Sequence, residues 1–380
     1  MKIILPYLTL LLILVLGSCT RENEPRGYIE KKIQIVTPGS LSTLISANEL
    51  QKISSLTITG TMDSRDFKVL RDNMSYMHYI DISKVRISAY SGKEGTYACI
   101  YGNNESNDYP ANEIPAFAFS PTSTLTPEIY DIKLPGSLKS IGKDAFNQSN
   151  IFGTLTIPDS VISIGESAFY SCWGLDSIYL PNSVKTIGAG AFNACTSFSS
   201  FEIPDSVKSI ASETFYHCFG LKRILFGSSV SSISTDIFYD CPNLNELTVS
   251  PDNINYSSRD GVLFNKNQTT LIMYPFTKVG DYIIPNTVTS IADGAFNACD
   301  KLSNVSIGSR IKSLGNAAFA DCSALKAIYI SSATPIDLSH RYRVFDGINL
   351  STCILYVPAG SKSAYQAANQ WKDFVNIIEM

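Results

Sequence analysis

The chain has 380 residues and a formal net charge of −4, and only 17% of its residues are charged. A protein that holds nucleic acid through a basic surface needs clustered lysine and arginine, so that class is excluded. An aromatic content of 11% also excludes a disordered chain, and three histidines leave little for an all-histidine metal site.

The chain opens MKIILPYLTLLLILVLGSCTRENEP. Lys2 supplies a positive start, and Ile3 to Leu16 is an apolar stretch interrupted by Pro6 and Thr9. It is too short to span a bilayer, which takes about 20 residues, and it fits the apolar centre of a secretory signal. Leu16-Gly17-Ser18-Cys19 resembles the lipobox of bacterial lipoproteins, which implies a cut before Cys19 and lipidation of its thiol. A plain signal with a chance cysteine is the competing reading. Glu22 and Glu24 resemble the surface-export signal of Bacteroides-type lipoproteins. The expected divisions are a signal at 1–18 and a flexible tether at 19–35.

Residues 36–128 are expected to hold an N-terminal cap and degenerate repeats. Leu41 to Lys52 reads as an amphipathic capping helix. Ile53-x-x-Leu56-x-Ile58 and Met77-x-x-Ile80-x-Ile82 lie 24 residues apart, and Asp66 to Met74 between them reads as a short helix. Ser91 to Glu113 is polar and rich in glycine and asparagine, which predicts a long surface loop.

From residue 129 to 358 one repeat dominates. A marker phenylalanine recurs every 23 residues at Phe146, Phe169, Phe192, Phe215 and Phe238, and again at Phe296 and Phe319 after a gap of 58. A cysteine follows three residues later at Cys172, Cys195, Cys218, Cys241, Cys299 and Cys322. The consensus L-x-x-I-x-I-P-x-S-V-x-x-I-x-x-x-A-F-x-x-C predicts a short strand ended by proline, since proline cannot donate to a continuing ladder. A second extended piece, Val-x-x-Ile, follows, and glycines such as Gly142, Gly165, Gly188 and Gly315 suit the turn after it. Units this small cannot bury a core alone, so they stack. Residues 250–276 interrupt the series, and Val262-Leu263-Phe264 with Leu271-Ile272-Met273 predict a hairpin insert there. Residues 359–380 are the expected C-terminal cap. Ser361 to Gln370 reads as a helix with Ala364, Ala367 and Ala368 inward, and Trp371 and Phe374 over the last repeats.

The P-x-S-V-x-x-I-G-x-x-A-F-x-x-C pattern resembles the BspA-like, or Treponema pallidum-type, leucine-rich repeat family over about residues 129–358. Gly227 and Gly308 depart from it by replacing the strand-ending proline. The resemblance implies a mainly β leucine-rich repeat solenoid of parallel short strands, on the cell surface, with adhesin or protein-binding roles and no catalytic residues. The six repeat cysteines are expected to form a buried ladder of free thiols, because parallel side-chain vectors oppose disulfides. Cys99 and Cys353 stand outside it.

No dinucleotide, phosphate-loop, zinc-protease or nucleophile-elbow motif occurs, so no enzyme, cofactor or metal is expected. Binding is then the default, and the repeat locates candidate columns. The outward strand column reads Lys133, Thr156, Tyr179, Glu202, Leu225, Thr248, Ile283, Ser306, Tyr329, with Lys222 and Arg223 adding positive charge beside Leu225. A second column, on the turns, holds Tyr170, Tyr216 and Tyr239, joined by Trp173 and Phe219 just after the cysteines. These five aromatics either form a strip for sugar rings or a protein anchor, or pack against neighbouring turns, and the strand column is either a binding face or an ordinary solvated sheet face. The expected function is a lipid-anchored outer-membrane surface protein that binds a host or neighbour-cell macromolecule. Glycan capture and a structural envelope role are the alternatives.

Overall fold

A computed structural model describes residues 28–99, 107–122 and 127–380. The signal, Cys19 and the first part of the tether lie outside the described residues. Residues expected in the tether instead begin the fold, because Ile29–Ile35 pairs in parallel with Ile53–Met62. That strand pairs with Tyr79–Ile87, and the last with Asp131–Lys133, so one parallel sheet feeds the solenoid.

The helix Ser64–Asn73 joins two of these strands. Its start is held by Asp63 and the buried Asp66, whose carboxylate accepts from the backbone of Gly39, Leu41 and Asp63. This ties the N-terminal cap to the first sheet. The capping helix expected over Leu41 to Lys52 is broken into Leu41–Leu44 and Ala47–Leu50, with Ser46 and Glu49 forming a capping box between them. The surface loop expected over Ser91 to Glu113 is also partly built in. Tyr90–Gly92 pairs antiparallel with Asn107–Tyr109. The buried Arg71 donates to the carbonyls of Thr96 and Phe117, so a buried cation gains acceptors that offset its desolvation.

Two parallel ladders run through the repeats. One joins the L-x-x-I-x-I strands, as in Arg223–Phe226 beside Glu246–Val249. The other joins two-residue strands, with Ser140, Ser163 and Thr186 directly opposite one another. Between them the marker rings stack. Centroid separations along Phe119, Phe146, Phe169, Phe192, Phe215 and Phe238 run 4.9, 5.1, 5.6, 5.8 and 5.8 Å. Phe119 belongs to a repeat the consensus search misses, whose short strand Glu113–Ile114 pairs with Ser140–Ile141. The second stack runs Tyr274, Phe296, Phe319 and Phe345 and ends on Trp371.

The turn glycines have a different cause from the one expected. Gly165 and Gly188 do not have positive φ. A Cβ on Gly188 would lie 2.4 Å from the backbone of Glu166 in the preceding repeat, and one on Gly165 would lie 2.7 Å from Gly142. They are small because adjacent backbones touch. The left-handed positions lie two residues before and after the marker ring, as at Asp144 and Gln148, Ser167 and Ser171, or Glu213 and His217.

The repeat cysteines are buried and free. Each thiol points to the carbonyl of the marker residue one repeat back, as in Cys172 to Phe146 at 3.0 Å and Cys195 to Phe169 at 3.1 Å. Burial pushes the thiols of Cys172, Cys241 and Cys322 up to about 12.

The insert is a hairpin extended by a third strand. Val262–Asn265 pairs antiparallel with both Tyr256–Arg259 and Thr270–Met273. Thr270–Met273 then pairs in parallel with Ser290–Ile291 and so rejoins the second ladder. At the far end the helix is Lys362–Ala367, and it turns Tyr365 inward while Ala364 and Ala367 are exposed. A phenol offers more apolar surface than a methyl and its hydroxyl donates to Ser332, so it wins the core position. Trp371 and Phe374 close the core as expected.

Two outcomes follow for stability. Phe192→Ala, which empties the centre of the ring stack, should cost about 3–5 kcal/mol in a urea titration. Stability should also fall as pH rises from about 9 toward 12. There the unfolded chain releases thiol protons that the folded ladder retains, so unfolding becomes favoured. Urea titrations at pH 7 and 10 check this, and replacing Cys172 and Cys241 by alanine should flatten the difference.

Candidate functional site

Parallel pairing in register lines up the outward positions within each of three successive sheets. Thr156 stands opposite Tyr179, Glu202 opposite Leu225, and Leu225 opposite Thr248. Ile283, Ser306, Tyr329, Tyr356 and Ile378 continue the row through successive strands. Tyr179 is 58% exposed, and Leu225 and Ile283 are also exposed. The column read from the repeat is therefore physical as three row segments, one in each sheet. It extends to Tyr356 and Ile378, which sequence reasoning missed because Phe345 breaks the 23-residue spacing and lacks the following cysteine, and no marker ring precedes Ile378 at the repeat spacing. Tyr329 and Tyr356 stack with centroids 4.7 Å apart.

The positive spot expected beside Leu225 is not isolated. Lys222 and Arg223 are exposed. Arg223 lies opposite Glu246, and Leu225 opposite Glu202. One carboxylate thus stands opposite Arg223 and another opposite Leu225, and the middle of the row is a mixed surface rather than a basic one. A shallow hollow of about 240 Å³ lies there, lined by Arg223, Leu225, Glu202 and Glu246 among others.

The aromatic strip expected along the turns is two separate groups. Trp173, 50% exposed, packs edge-to-face on Phe152 at 5.4 Å, and Phe152 reaches Tyr130 at 5.4 Å. Tyr130 in turn meets His78 and Tyr79. This group runs along the corner where the strands begin. Phe152 and Tyr130 escaped the sequence reading because they lie in irregular repeats. The other group is Tyr216 stacked on Tyr239 at 4.6 Å, with His217 and Phe219 beside them. His217 sits in the left-handed turn conformation, and its ring nitrogen is 2.9 Å from the Asp240 carboxylate. Tyr170 is half-buried and makes no ring contact with either group among the described residues.

Among the described residues no group of three or more His, Cys, Asp or Glu could hold a metal ion. No helix among them is long and apolar enough to cross a membrane. The surfaces available are rows of exposed side chains on a rigid frame, which suits recognition of an extended partner.

A leucine-rich repeat protein from Eubacterium ventriosum is 28% identical, with 60% of this chain and 66% of that chain covered and a TM-score of 0.47. This chain thus spans just under two thirds of that protein. A leucine rich cell surface protein from Faecalibacterium prausnitzii is 24% identical, with 72% and 84% covered and a TM-score of 0.49. A leucine-rich repeat protein from Bacteroides ovatus is 19% identical, with 87% and 74% covered and a TM-score of 0.44. No curated protein matches the chain. The model of the BspA type leucine rich repeat region matches six copies, over residues 112–259 and 262–356, which is more than half of the sequence. It begins at the Phe119 repeat and resumes within the insert, so the chain belongs to the BspA-type leucine-rich repeat family.

Proposed function

We propose that this protein is a lipid-anchored module of the outer bacterial surface that binds a macromolecule of a host or neighbouring cell. The register-matched outward positions of the successive sheets, with Tyr179, Leu225, Ile283 and Ile378 exposed among them, carry the reading. Exposed aromatic and branched residues on a rigid sheet contribute binding energy without the ordering cost of a loop. The family and the cell-surface description of the Faecalibacterium protein support the location. The lipobox-like segment ending in Cys19 supports the anchor. Binding rather than catalysis suits the arrangement, because no nucleophile with a placed base appears in either aromatic group.

A glycan reading has its own observation. Trp173 presents half its surface beside Phe152 and Tyr130, and an exposed indole face stacks well on a sugar ring. A screen of the chain against glycans and extracellular-matrix proteins separates the two. Tyr179→Ala with Tyr329→Ala should weaken capture of a protein at least tenfold, while Trp173→Ala should do so for a glycan. Both variants should keep the parent melting temperature within a few degrees. If neither class of ligand is retained, binding of a macromolecule is rejected in favour of a structural envelope role.

The anchor has a separate outcome. Cys19→Ser should abolish labelling by radioactive palmitate and move the protein from the membrane to the soluble fraction. Continued labelling would place the lipid elsewhere or reject it.

A further inference from the structure

The hairpin insert breaks the solenoid at one place, and the break is a groove. From Phe119 to Phe319, apart from Phe238, the backbone N–H of each described marker residue donates to the next repeat. Phe169 donates to Ala191, Phe215 to Ile237, Tyr274 to Ala295 and Phe296 to Ala318. The residue two further on does the same in the regular repeats, as in Ser171 to Asn193, His217 to Tyr239 and Ala298 to Ala320, though not at Phe276 within the insert. At Phe238 and Asp240 neither bond forms with any described residue. The ring stack stops at the same point, since Phe238 and Tyr274 make no ring contact, and the hydrophobic core divides into two clusters there. Among the described marker turns from Phe119 to Phe345, Asp236 and, within the insert, Ile272 are the two residues that do not take the left-handed conformation two residues before the ring.

The space so opened has a volume of about 680 Å³, within the roughly 300–1,000 Å³ of ligand clefts. In every other repeat, the corresponding space holds the backbone of the next turn. Phe238 and Asp240, whose N–H groups would donate to that turn, line the space. Its walls carry Asp236, Asp240, Asp293 and Asp321, and no lysine or arginine lines it. Among the described residues none of these four carboxylates pairs with a lysine or arginine. Tyr239 is exposed at the rim, where a guanidinium can stack on its face.

We infer that this groove is a docking site for an extended, arginine- or lysine-bearing peptide segment of a partner protein. The peptide carbonyls accept from Phe238 and Asp240, as in strand addition. Its basic side chains reach the four carboxylates, for which arginine's planar fork is suited. The site is separate from the outward strand row and from Trp173, so it stands or falls independently of the function proposed above.

The test uses the full chain and a fluorescent decapeptide of alternating arginine and valine, read by anisotropy and by hydrogen exchange. Binding should occur, and the glutamate–valine counterpart should not bind. The amides around Phe238 and Asp240 should gain protection, while those of 223–226 should not. Asp240→Asn with Asp293→Asn should weaken binding at least tenfold, with an unchanged melting temperature and circular dichroism. Tyr239→Ala, a rim change that leaves the core intact, provides a second variant and should weaken it severalfold. Trp173→Ala should change nothing. The inference is overturned if the peptide does not bind, if the double variant binds it equally, or if the two amides gain no protection. It is also overturned if spermine displaces the peptide at matched charge concentration, because charge alone would then account for the attraction.

Discussion

A single repeat of this chain has no inside. Its strand, its two-residue second strand and its marker turn each bury one edge, and only a neighbour can cover the other. The inter-repeat carbonyl bonds, the stacked rings and the thiols that point to the preceding marker carbonyl all answer that one requirement. Backbones therefore approach until Gly188 touches Glu166. The same closeness explains why the ladder holds cysteine. A thiol is small and apolar enough for a buried position and still directs a weak donor at the marker carbonyl of the preceding repeat.

Ends and interruptions are where that requirement fails and must be met differently. At the N-terminus the buried Asp66 and Arg71 hold irregular chain in place by hydrogen bonds rather than by rings. At the C-terminus Tyr365, Trp371 and Phe374 lie over the last marker ring. The insert meets it in a third way, by supplying Val262, Phe264 and Leu271 to the core and Thr270–Met273 to the second ladder. It does not supply the turn that Phe238 and Asp240 would donate to. A solenoid is uniform by construction, so its irregular points are the places with their own shape and chemistry.

Regularity also governs the exposed surface. Because the strands are parallel and in register, a change at one outward position adds to a row instead of standing alone. Tyr179, Leu225, Ile283 and Tyr329 gain their meaning from that alignment. It also tempers charge. Arg223 reads as basic in the chain, yet it faces Glu246 across the ladder.

Much of this was legible in the sequence. The spacing of 23 from Phe146 to Phe238, the strand-ending prolines and the cysteines after each ring specified a stack, its core and its buried thiols, because local pattern and inter-repeat packing share one period. The exposed column was legible for the same reason. What the tertiary structure alone decided depends on residues that are distant in the chain or outside the period. Phe119 joins the stack without the consensus around it, Trp173 belongs with Phe152 and Tyr130 rather than with Tyr216, and Tyr365 displaces the alanines from the cap. The groove beside Phe238 was hidden for the most direct physical reason. It consists of hydrogen bonds and ring contacts that a regular neighbour would have made, and a sequence pattern does not reveal which of those an insert leaves open.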